Sequence, residues 1–175
     1  MALLAGALIA GMALAQDPPM LDDFDDDALV EALTCRTAPQ RLPALLPRLR
    51  HERPADFTQA ERQYSLPLLD LYRLDAPVQA WGQTSDGIVI ADNRVLMVIE
   101  GDADAVARQL DEYLQQSSAS PLAGALDEMH ALIVYPGDVP GLQGRVLLGC
   151  EYRFADLRLL DDDALLPHSH PITSR

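Results

Sequence analysis

The chain contains no lysine. Its thirteen basic residues are all arginine, and Asn93 is its only asparagine. This bias reads as GC-rich coding and points to a high-GC bacterium. It also leaves the glycine-containing stretch at residues 137–144 without the lysine that a phosphate-cradling loop requires. Aromatic residues are scarce at 5%, so the core is expected to consist of Leu, Val, Ile and Ala. Cysteine occurs twice, at Cys35 and Cys150, with no C-x-x-C spacing, which argues against a thioredoxin-like redox motif. Positive charge is in short supply: 13 basic residues face 27 acidic ones, for a formal net charge of −14. Such a field repels nucleic acid and anionic lipid headgroups and attracts basic partners. The same acidity also serves as a generic solubility device.

What is present starts at the N-terminus. Residues 1–15 carry no charged side chain and end in Ala13-Leu14-Ala15, just before Gln16. The stretch is shorter than the roughly 20 apolar residues of a membrane span and closes on an A-x-A pattern, so it reads as a cleavable export signal. Its lack of an N-terminal Lys or Arg departs from the usual signal and leaves a signal anchor as the alternative. No cysteine follows the boundary, so a lipoprotein anchor is not indicated and the mature form is expected to carry no membrane anchor. Export from such a bacterium places the chain in the periplasm. There, Cys35 and Cys150 read as one disulfide closing a very long loop, with two buried free thiols as the alternative.

The 160 residues after the signal amount to one domain. The expected division is a signal peptide at 1–15, a flexible acidic leader at 16–24, a single α+β domain at 25–158 and a flexible tail at 159–175. Aspartates ahead of Leu29, Ala32 and Leu33 cap a helix over about 26–35. Pro43 and Pro47 interrupt the helical spacing of Leu42, Leu45, Leu46 and Leu49, leaving a short helix or two single turns. Residues 48–62 read as a loop with one helical turn near 58–62. Residues 66–74 alternate as a strand, and 77–82 either form a second strand or continue the first after a bend. The clearest hairpin pairs 87–91 with 94–100 across Asp92-Asn93, a dipeptide that tolerates positive φ. Asp102 or Asp104 opens a helix with Val106, Leu110, Tyr113 and Leu114 on one stripe. A short helix is expected at 121–129, and a second hairpin joins 130–135 to 145–154. The order predicts an α+β fold: a mostly antiparallel sheet of four to six strands with two to four helices on one face, and the disulfide tying the first helix to the last long strand.

Candidate chemistry is thin. The aspartates at 22–27 and 161–163 fit helix capping and solvation better than calcium, since they lack the glycine and glutamate of an EF-hand loop. His168 and His170 form an H-x-H pair in the tail without held third and fourth ligands. No serine lies in G-x-S-x-G. No catalytic residue, cofactor or metal is therefore assigned. Two residues stand out as partner contacts: Trp81, the only tryptophan, and Asp138, on a Pro/Gly-stiffened hairpin tip. Each also has a plain reading, as a packing residue and as part of an ordinary connection. The leading expectation is an exported acidic protein that binds another, basic protein, as an inhibitor or immunity protein for a toxin or hydrolase does. A structural or accessory envelope or secretion component using an exposed sheet edge, a small-ligand binder, and a hydrolase are the alternatives.

Overall fold

A computed structural model describes residues 27–58, 60–63, 68–116, 128–138 and 140–160. The expected signal peptide, leader, 121–129 helix, H-x-H pair and both flanking acidic runs fall outside the described residues, apart from Asp27 and the last residues of the 121–129 segment. The described chain is α+β. Its six strands are β1 (Glu61–Gln63), β2 (Leu69–Ala80), β3 (Gln83–Ala91), β4 (Arg94–Glu100), β5 (His130–Pro136) and β6 (Arg145–Tyr152). They form one sheet in the order β1-β2-β3-β4-β6-β5, with every neighbouring pair antiparallel.

Helix α1 (Ala28–Leu33) starts where Asp27 Oδ1 accepts the Leu29 N–H at 2.9 Å, satisfying one orphan donor of the first turn. It ends at Cys35, whose φ of 60° lies in the left-handed region and cannot continue a helix. The two prolines fall where their missing N–H costs least. Pro43 lies in a 3-10 segment (Pro39–Ala44), and Pro47 lies in the first turn of α2 (Leu45–Glu52). Pro54 opens α3 (Pro54–Phe57), a favoured position for proline. The region expected to be loop is thus helical through residue 57, and β1 occupies 61–63, where a helical turn was expected.

Strand β2 is one bent strand: its pairing with β3 is irregular between Arg73 and Val78, around the exposed Asp75-Ala76-Pro77. The Asp56 carboxylate accepts the Asp75 N–H at 2.8 Å, so the bend is pinned to α3. Phe57 packs on Tyr72 with ring centroids 5.0 Å apart. The positive-φ turn occurs at Trp81-Gly82 (φ 56° and 73°), between β2 and β3. The Asp92-Asn93 turn keeps negative φ, and its carbonyls accept the Leu159 and Tyr152 N–H groups, each at 2.8 Å.

Between β4 and β5 runs α4 (Ala103–Gln116), capped by Asp102 Oδ1, which accepts from Asp104 and Ala105 N–H. Its Val106 and Leu110 join the core with α1, α2 and the Tyr72, Ile90, Met97 and Leu148 side of the sheet. The described helices share this one face. The four bulkiest fully buried side chains among the described residues are Trp81, Tyr72, Tyr152 and Phe57, set in an otherwise aliphatic core. The opposite face is also apolar: Leu71, Val89, Leu96 and Leu147 form a second buried cluster with Leu142 from the β5–β6 loop. The core also extends past residue 158. Leu159 and Leu160, expected to begin the tail, are buried.

Candidate functional site

Trp81 lies inside, with 2% of its surface exposed, and its indole N–H donates to the Leu33 carbonyl at 2.8 Å. The ring therefore locks the β2–β3 turn onto the end of α1, and the expected contact role does not suit a side chain in that position. A non-glycine residue at positive φ costs about 1–2 kcal/mol; burial of so large a ring offsets this. The turn is tight as well. A Cβ on Gly82 would sit 2.7 Å from the Tyr113 ring.

The sulfurs of Cys35 and Cys150 are bonded, with their Cα atoms 5.2 Å apart and a sequence separation of 115. The bridge joins the residue just after α1 to β6. Tyr152, two residues further on, donates its hydroxyl to the Ala32 carbonyl at 2.8 Å. Two side chains on the same face of β6 thus hold the end of α1, one covalently and one by hydrogen bond.

Asp138 is exposed at the start of the β5–β6 loop. The loop is anchored rather than free: Leu142 is fully buried, the Gly137 N–H donates to the Arg145 carbonyl at 2.8 Å, and the Arg145 N–H donates to the Leu142 carbonyl at 3.0 Å. Gly137 permits this closeness, because a Cβ there would lie 2.5 Å from the Leu142 oxygen. Across from the loop stands the start of α4. Together they enclose a notch of about 490 Å³ lined by Asp102, Asp104, Asp138 and Arg145. Asp102 is engaged in capping, and Arg145 pairs with Glu100 at 2.7 Å. Asp104 and Asp138 are left as the outward carboxylates. Among the described residues, no group of three or more His, Cys, Asp or Glu side chains is placed to hold a metal ion.

A second feature lies on the open face beside β5, and sequence reasoning missed it. A shallow depression of about 420 Å³ is lined by Arg94, Glu151, Tyr135 and the half-buried residues 132–134. Arg94 pairs with Glu151 at 2.7 Å and lies 6.0 Å from the centre of the Tyr135 ring, while Arg153 reaches the other Glu151 oxygen at 3.0 Å. Burial opposes the charge on Glu151, but the hydrogen bonds from Arg153 and Arg94 outweigh it and hold the carboxyl below its ordinary pKa. Burial also pushes the Tyr135 hydroxyl up. Arg94 and Glu151 are 57 positions apart and meet only because β4 pairs with β6 in the register Arg94 opposite Glu151. The strand register was the only available signal.

No family model, curated protein or solved structure matches this chain.

Proposed function

We propose that the chain is an exported acidic protein of the bacterial periplasm that binds another, basic protein, with inhibition of a toxin or hydrolase as its most concrete role. The observation that carries this reading is the acidic notch, where Asp138 on an anchored loop stands beside Asp104 at the start of α4. A tip held by a buried leucine loses little freedom on binding. An acidic notch in a chain of net charge −14 steers a basic partner towards it. The disulfide is in keeping with an oxidising compartment.

The test is an affinity pull-down from periplasmic extract with the wild-type chain and with Asp104→Arg/Asp138→Arg. Near-stoichiometric recovery of one basic hydrolase, inhibited by the wild type and released by the double variant, supports the reading. Recovery of a multi-protein envelope assembly, unaffected by the double variant, overturns it in favour of an accessory envelope component. A half-exposed outer strand at β5 favours that second reading. Cell fractionation tests the compartment: intact chain in the cytosol with both thiols titratable sinks the export reading.

A further inference from the structure

The two edges of the sheet are built differently. One edge is β1, three residues long with Glu61 and Arg62 among them. Short length and charge are the usual means by which an edge strand is kept from pairing with another chain. The other edge is β5, seven residues long, with the uncharged run Ala131-Leu132-Ile133-Val134-Tyr135 half-exposed throughout. No described strand pairs with its outer side.

The backbone groups that face outward follow from the bonds at its two ends. The Gly137 N–H donates to the Arg145 carbonyl, and the Arg153 N–H donates to the Met129 carbonyl. In an antiparallel ladder the bonded positions alternate, so residues 131, 133 and 135 face β6. Leu132 and Val134 present their N–H and C=O groups to the outside. The strand next to them is braced by the Cys35–Cys150 bond, with Cys150 opposite Leu132, so little ordering is needed to present this edge.

We propose that β5 is a dimerisation edge, pairing antiparallel with β5 of a second copy to make one continuous sheet across a two-fold axis. The strand is complementary to itself in one register. With Ile133 opposite Ile133 of the other copy, Leu132 and Val134 exchange both backbone bonds with Val134 and Leu132 across the axis. In the same register the small Ala131 faces the large Tyr135, so each ring covers a gap that the other strand leaves. Such an interface is isologous and closes at two copies. The charges beside the edge are already matched within one copy: Arg94 and Arg153 with Glu151, and Arg145 with Glu100. Beyond the ends of β5, Glu128 and Asp138 are exposed, and this register brings Glu128 of one copy towards Asp138 of the other, a like-charge repulsion that salt screens over about 10 Å at 0.1 M. Association is therefore expected to tighten as salt rises, opposite to binding of a basic partner at the acidic notch. The notch begins where β5 ends, at Pro136 and Gly137, but the opposite response to salt lets the two proposals fail separately.

Sedimentation velocity of the full chain from 1 to 200 µM, at low and high sodium chloride, reads this directly. The expected result is a shift from the 19.1 kDa monomer to twice that mass, favoured at high salt. Val134→Pro removes an outward donor without touching the β6 ladder, and Ile133→Lys sets two like charges across the axis. Each is expected to weaken the dimer at least tenfold; because Val134 and Ile133 also pack against the two core clusters, the monomer's thermal midpoint falls somewhat, while circular dichroism shows it still folded at the assay temperature. Wild-type chain that stays monomeric at both salts overturns the proposal. So does a dimer that Val134→Pro and Ile133→Lys leave as tight as before, or one that salt dissociates.

Discussion

Opening the Cys35–Cys150 bond removes the one covalent cross-link the two cysteines make. The bond spans 115 positions, and the chain-entropy relation assigns such a loop about 4.8 kcal/mol of stabilisation at 25 °C, acting through the unfolded state. Total stability of a domain is about 5–15 kcal/mol, so this one bond is a third or more of it. At roughly 3–5 °C per kcal/mol for a domain of this size, the thermal midpoint is expected to fall by roughly 14–24 °C. The bond is approached through two perturbations. Reducing the wild-type chain keeps both sulfurs, which are buried at 3% and 0% exposure; Cys35→Ala/Cys150→Ala removes them and adds the cost of two small cavities. Urea unfolding followed by fluorescence suits the purpose, because Trp81 is the only tryptophan and lies in the core beside α1. The reduced chain is expected to unfold at lower urea, and the double variant at slightly lower urea still. Oxidised and reduced chains that unfold within 1 kcal/mol of each other would refute the reasoning. The end of α1 would then be held by Tyr152, Trp81 and apolar packing alone.

Three further outcomes follow from the same structure. Trp81→Phe keeps most of the ring but strands the Leu33 carbonyl, so a loss of about 1–3 kcal/mol is expected in denaturant unfolding followed by circular dichroism. Glu151 is held below its ordinary value of 4.5 in the folded chain, so its contribution is present above about pH 4.5 and disappears as pH falls through the lower folded value. Glu151→Gln is expected to flatten stability against pH in that acid window and to leave the slope above pH 6 unchanged. Burial, with Asp70 beside it, raises the Tyr72 hydroxyl to about 12. A raised tyrosine contributes stability that is whole below pH 10 and is lost as pH rises through about 12, so Tyr72→Phe is expected to shift the alkaline unfolding midpoint. Absorbance titration at 295 nm checks this, with Tyr72 and Tyr152 ionising only on unfolding.

The elements with one strong local pattern were readable directly. The β3–β4 hairpin, α4 and the β5–β6 hairpin are each dictated by apolar residues at a clear period between turn residues, and each lies close to where that pattern places it. The bend in β2 was readable as one of two options, because Pro77 cannot donate to a ladder but can sit at an irregularity. In the helical region the prolines correctly argued against one long helix, whereas the weak period of 48–62 hid the rest of α2 and α3. Pro43 and Pro47 fall in a 3-10 segment and a first turn, where the missing N–H is harmless. The turn chemistry was partly inverted. Asp92-Asn93 has the composition for positive φ but needs none, because its carbonyls serve Tyr152 and Leu159; Trp81-Gly82 adopts positive φ because tertiary burial of the indole overrides local preference. The near-continuous apolar runs of β3, β4 and β6 carried a message that strict alternation would not: these strands are buried on both faces. The exposed loop position of Asp138 was legible from turn residues alone. The Arg94, Glu151 and Tyr135 group was not, since it exists only through strand register.

Strand β4 gains its first neighbour, β3, from residues just before it, and its second, β6, only after some fifty more residues have been made. Until residue 145 arrives, Val95 to Ile99 form five consecutive apolar positions along an open backbone edge, the combination that invites pairing with other chains. A fragment cut short of the last strand would be adhesive as well as incomplete. Escort of the nascent polypeptide, or rapid destruction of truncated products, is the cellular requirement that this strand order imposes.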